Sequence, residues 1–251
     1  MDVSKIVFLG DSHVQGVGAE WPKLYGDLVA TPREFTKNLW TNYLRTTNDS
    51  AEEINKKYKE IISTIRFDFN SSKKLKEYRD TYSWASVFAQ YFKKEYINLG
   101  FPAYNLNQIA AKLVIDNPDF YDSLVLLGVP PLKNDLTFHN PYNTKQFQNV
   151  TIPVAASNII LIKEFVERRG GRFVYFHTED FPFEFYDVKN NPYLYHLNNI
   201  RLFDRSLYSF FTSNFEKKKH DGIHYTLEGH KFIGNKLAKE FENSLIFSIL
   251  S

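Results

Sequence analysis

A chain of 251 residues is long enough for one large domain or two small ones, and for a substantial buried core. With 31 Lys plus Arg against 29 Asp plus Glu, its net charge of +2 gives no basis for a general nucleic-acid binder. Cysteine is absent, which excludes disulfides, thiolate nucleophiles and thiolate-bound metals, and no histidine sits in a His-Glu-x-x-His arrangement.

The first apolar run, residues 5–9, is short and β-branched and ends at Gly10, so it reads as a buried strand. The stretch from about 28 to 82 is rich in Lys, Glu, Asn and Thr and carries an amphipathic pattern over 52–65. It reads as a helical insertion, either a lid or substrate wall or a plain solvated helical pair. Further strands are expected at 96–99, ended by Gly100, at 123–127, ended by Gly128, and at 172–176, preceded by Gly170 and Gly171. Runs that are continuous, not alternating, suit a parallel sheet covered on both faces. Helices are expected over 106–115, over 151–169 with Gly170 as the stop, and from the N-cap Thr226 with Glu228 in its first turn to about residue 245. Strand–helix alternation of this kind predicts a doubly wound α/β sandwich, with 1–251 as a single domain that contains the 28–82 insertion.

Two stretches carry chemistry. Ser12, in Gly10-Asp11-Ser12-His13, follows the first strand, and ligands of open α/β sheets bind beyond the carboxyl ends of strands. A serine that opens a helix there has backbone N–H groups and a favourable dipole beside it; on its own the tripeptide reads first as a serine capping a helix after a turn. Near the C-terminus stands Asp221-Gly222-Ile223-His224, just before the Thr226 cap. Serine needs a base to become a nucleophile, and a carboxylate on the other imidazole nitrogen fixes the tautomer and stabilises the imidazolium. Asp221 and His224, three positions apart before a helix, can share one side of a loop.

These motifs resemble those of the SGNH (GDSL) hydrolase family: Gly10-Asp11-Ser12 after a strand, and Asp221-x-x-His224 before a C-terminal helix. The resemblance implies a three-layer α/β/α, flavodoxin-like fold and a serine esterase, lipase, acyl-hydrolase or deacetylase that uses no metal or other cofactor. It implies Ser12 as nucleophile, His224 as general base and then acid, and Asp221 as the orienting carboxylate. The middle motifs diverge. Ala103 stands where the family has a glycine whose N–H helps bind the oxyanion, and an N–H survives that change. After Gly128 the family's asparagine donor is missing from its usual offset; Asn105 or Asn134 are the candidates to replace it. The oxyanion hole is thus expected from Ser12, Ala103, Asn105 and Asn134.

The expected substrate is a small acyl ester, with O-acetyl groups on a carbohydrate as the leading case. An acyltransferase on the same triad and a non-catalytic glycan- or protein-binding module are the alternatives. A structural component of a larger assembly, docked through the 28–82 stretch, is a weaker one. Other residues read both ways. His13 either touches substrate or lies on a helix surface, His230 is read as structural, and Lys217-Lys218-Lys219 is read as a solvated loop. The cluster Phe181-Pro182-Phe183-Glu184-Phe185-Tyr186 is either a cleft wall or packed loop. Aromatics make up 17% of the chain, which suits either a lined cleft or a Phe-rich core. No signal-peptide pattern and no run of about 20 apolar residues is present. A cytoplasmic protein without a membrane span is expected, with virion association or non-classical export as alternatives.

Overall fold

The computed structural model describes residues 2–17, 19, 41, 43–57, 59–60, 73–101, 104–130, 144–178, 197–203, 206–207, 225–244 and 247. Its centre is a four-stranded sheet of β1 (Lys5–Gly10), β2 (Glu95–Gly100), β3 (Ser123–Val129) and β4 (Arg172–His177), in the order β2-β1-β3-β4. All three pairings are parallel, with Val7 opposite both Ile97 and Val125, and Leu127 opposite Tyr175. All seven residues of β3 are buried, and so are the last five of β1 and of β4. That is why these strands read as unbroken apolar runs.

Because side chains alternate across a strand, each run feeds two cores. Val7, Leu9, Val125, Leu127, Phe173 and Tyr175 enter one, with Ile109 and Leu113 of α4 (Leu106–Asp116) and Ile159 and Ile162 of α5 (Thr144–Glu167). Ile6, Phe8, Leu124, Leu126, Val174 and Phe176 enter the other. There they meet Trp84 and Phe88 of α3 (Trp84–Tyr91) and Ile233, Leu237 and Phe241 of α6 (Leu227–Glu242). The result is the α/β/α sandwich expected from the sequence. Phe8 packs edge-on to Trp84 at 5.3 Å and to Phe88 at 5.7 Å. Among the described residues, Phe8, Trp84, Phe88, Phe120, Tyr175, Phe176, Tyr225 and Phe241 are all fully buried. There the aromatic excess belongs to the core.

Three expectations need correction. β2 is not a covered strand: its burial alternates, Ile97 is 41% exposed, and it pairs only with β1 among the described strands. α5 starts seven residues before the expected 151 and carries Pro153 inside it. A proline removes one helical N–H but does not end a helix held on both sides by other turns. The sheet also extends past β4. Tyr175 N–H donates to Ile200 C=O (3.1 Å) and Leu202 N–H to Tyr175 C=O (2.7 Å), a parallel bridge centred on Arg201.

Between β1 and β2, the residues described at 43–46, 51–57 and 59–60 are helical, and α2 (Lys73–Tyr82) leads into α3. Residues 61–65 of the expected amphipathic helix lie outside the described residues. No helix among the described residues is long and apolar enough to cross a membrane.

Candidate active site

From β1 the chain runs out to β2 on one side of the sheet, then returns across β1 to β3 on the other. The connections leave on opposite faces at this reversal, and in open α/β sheets ligands bind at such a point, beyond the carboxyl ends of strands placed as β1 and β3 are. Ser12 stands there. It is half-buried and is the first residue of α1 (Ser12–Gln15), a single turn. Asp11 caps it, its buried carboxylate accepting from His13 N–H at 3.0 Å. Gly16, at φ +85°, closes it, and the N–H groups of Gly16 and Val17 both donate to Ser12 C=O at 3.2 Å.

One turn has no following turn to take up its carbonyls, so other elements must satisfy those that are buried. Three side chains do so. The Trp84 indole N–H donates to His13 C=O (2.8 Å). Asn98 Nδ2, from edge strand β2, donates to Val14 C=O (3.0 Å) and Gln15 C=O (3.3 Å). His230 Nε2 meets Val17 C=O (3.2 Å). The glycines that end the strands let the turn sit down on the sheet. A Cβ on Gly10 or Gly128 would lie 2.3 Å from Val14 Cγ2, and one on Gly100 would lie 2.5 Å from Gln15 N. Gly10, at φ +155°, also needs a backbone conformation that side chains disfavour.

Asn105 lies beyond β2, the neighbour of β1, and Phe101 N–H donates to Gly10 C=O (2.8 Å), which ties the two strand ends together. The Asn105 side chain is the N-cap of α4. Its Oδ1 accepts from Gln108 N–H (2.9 Å), and Gln108 Oε1 accepts from Asn105 N–H (3.0 Å), a reciprocal capping box. An oxyanion would be served by the other end of the amide, Nδ2.

Asp221, His224, Ala103, Asn134, the 217–219 lysines and the 181–186 cluster lie outside the described residues. The chain resumes at Tyr225, which is fully buried. Its ring lies 5.7 Å from that of His13 and 5.8 Å from that of His230. Thr226 Oγ1 then accepts from Gly229 N–H (3.0 Å), so the N-cap of α6 is the one expected.

His13 is neither of the things expected of a helix-surface residue: it is buried, and its ring packs on Tyr225. One turn of helix carries no periodicity from which to read that. His230, read from the sequence as structural, is fully buried. Sequence reasoning missed Trp84 and Asn98, which hold the turn, and His177, at the carboxyl end of β4. Burial, and secondarily the charge of Arg201, pushes the His177 pKa down to about 3, so its ring is neutral. Among the described residues no group of three or more His, Cys, Asp or Glu side chains could hold a metal ion.

No family model matches the sequence, and no curated protein does. Twenty-two chains of solved structure match its fold. One is a protein of Desulfitobacterium hafniense DCB-2 assigned to the lipolytic G-D-S-L family, at 13% identity and a TM-score of 0.49, over 94% of this chain and 99% of that one. Another is a protein of Parabacteroides merdae ATCC 43184 assigned as a GDSL-like lipase, at 12% identity and a TM-score of 0.46, over 97% of each chain. A third is a carbohydrate esterase whose active site displays divergent catalytic and non-catalytic binding functions, at 12% identity and a TM-score of 0.46, over 96% of this chain and 69% of that one. The structural neighbours are thus GDSL-type lipases and a carbohydrate esterase, all at low identity.

Proposed function

We propose that the chain is a serine esterase acting on a small acyl ester, with O-acetyl groups on a carbohydrate as the leading substrate. Ser12 is the nucleophile, His224 the general base and Asp221 its orienting carboxylate. One observation carries the reading. Tyr225, the residue after His224, packs its ring 5.7 Å from that of His13, the residue after Ser12. Two segments more than 200 positions apart are thus neighbours at the carboxyl end of β1, which supports pairing the histidine that precedes one with the serine of the other.

The reaction has two steps. Ser12 Oγ attacks the ester carbonyl carbon as His224 takes its proton, and the tetrahedral oxyanion is held by the Ser12 N–H with Ala103 N–H and Asn105 or Asn134. The intermediate collapses, the alcohol leaves with the proton from His224, and the acyl group stays on Oγ. Water then attacks the acyl carbon as His224 takes its proton, and the second tetrahedral intermediate collapses: the bond from carbon to Ser12 Oγ breaks, Oγ takes the proton back from His224, and the acid is freed.

The test is labelling by a fluorophosphonate, which requires an activated serine, together with turnover of p-nitrophenyl acetate. Ser12→Ala is expected to abolish both in a folded protein. Turnover by the parent chain should fall towards acid pH, because a protonated His224 cannot accept from Ser12. Labelling that survives Ser12→Ala, or a rate flat from about pH 5 to 8, would refute the assignment.

A further inference from the structure

We infer that His230 is a positioning residue for this reaction, joining the segment that follows His224 to the turn that carries Ser12. The inference rests on the reading of Ser12 and His224 given above.

His230 is the fourth residue of α6 and is fully buried. Trp84 N–H donates to its Nδ1 at 3.2 Å, and its Nε2 lies 3.2 Å from Val17 C=O. A peptide N–H can only donate and a carbonyl can only accept. The ring is therefore neutral, with its lone pair on Nδ1 and its proton on Nε2. Each nitrogen serves a different element. Trp84 N–H is one of the first-turn donors of α3 that no helical carbonyl can reach, and Val17 C=O follows the one-turn α1.

Trp84 closes the circuit. Its indole N–H donates to His13 C=O at 2.8 Å. A hydrogen-bonded path thus runs from His13 C=O through Trp84 to His230 and back to Val17 C=O, with the Tyr225 ring packed against both histidines. One residue of the α1 turn, His13, and one just past it, Val17, are thereby fixed to the helix that begins just past the Asp221/His224 pair. A leucine at 230 would fill similar space, but it would strand one buried donor and one buried acceptor and free the turn from the helix.

The test compares kcat and KM for p-nitrophenyl acetate in variants shown to be folded by circular dichroism at the assay temperature. His230→Leu should lower kcat about 10- to 100-fold, the scale of a small misplacement of reacting groups. KM should stay within about twofold, and fluorophosphonate labelling should slow in parallel. His230→Gln, which can accept and donate at once, should recover most of the loss. Leu237→Ala, a core change on the same helix away from the turn, should lower the melting temperature but leave kcat within about twofold. If His230→Leu does not fold, His230→Asn takes its place, since it keeps an acceptor for Trp84 and is too short to reach Val17; the same loss of kcat is expected. Wild-type kcat in the Leu or Asn variant overturns the inference, as does a Gln variant no better than Leu or an equal loss in Leu237→Ala. If the parent chain itself shows no Ser12-dependent turnover or labelling, the esterase reading fails first and this inference with it.

Discussion

Gly128 is the position at which the fit between sheet and turn is most directly measurable. A Cβ there would lie 2.3 Å from Val14 Cγ2, and 3.0 and 3.1 Å from Phe176 Cζ and Cε2. Carbon atoms pack best at about 3.5–4.0 Å, so Gly128→Ala demands more than about 1 Å of movement from a fully buried valine. Val14 has little freedom to give it, because a β-branched side chain in a helix is held in one rotamer. Overpacking of this kind costs about 1–3 kcal/mol. Val14→Ala removes the offending methyl and on its own costs roughly 1.5–3 kcal/mol of lost burial. The double variant should therefore be less destabilised than the sum of the two by about 1–2 kcal/mol. Gly10→Ala is the control. Its Cβ also meets Gly128 C=O at 2.8 Å and its φ is +155°, neither of which Val14→Ala relieves. Paired with Val14→Ala it should recover less. Urea denaturation of the single and double variants gives the two coupling energies. Additivity within about 0.5 kcal/mol for the Gly128/Val14 pair would refute the packing argument. The same displacement acts two residues from Ser12, so Gly128→Ala should also slow fluorophosphonate labelling.

Two further outcomes are expected. His177 is held at a pKa of about 3, against an ordinary value of 6.5, so below pH 6.5 the unfolded chain takes up a proton that the folded chain refuses. Stability is unaffected by this group above pH 6.5 and falls by about 1.4 kcal/mol per pH unit below it. Denaturant midpoints measured from pH 7 to about 4.5 should fall less steeply in His177→Gln, and parallel slopes would contradict the buried neutral ring. Asn105→Asp keeps the N-cap oxygen but removes the Nδ2 donor. Stability should hold, since Asp and Asn cap equally well, while kcat should fall ~10²–10³-fold. Unchanged kcat would withdraw Asn105 from the oxyanion hole and leave that role to Asn134.

The strands were readable because burial on both faces forces continuous apolar sequence: β3 is buried throughout, and β1 and β4 are buried but for their first residues. The cap at Thr226 and the fold class follow from equally local signals. What local sequence does not carry is partnership. The bridge through Arg201 is too short and too polar to register as a strand. The glycines at 10, 100 and 128 read as strand ends, but that they receive Val14 and Gln15 depends on which strands become neighbours. Ser12 could be singled out because a small motif follows a strand. Trp84, Asn98 and His230 could not be assigned to its turn, because each hydrogen bond joins residues far apart in the chain.

Those separations set an order of events. The bonds that complete the Ser12 turn span 71 residues to Trp84, 84 to Asn98 and 213 to His230. Closing the longest of these loops is the entropically most demanding, and on a ribosome it must wait until residue 230 has emerged. Until then the early turn keeps its carbonyls hydrated and lacks its final shape. The hydroxyl at position 12, translated long before residue 230, thus acquires its surroundings among the last steps of folding.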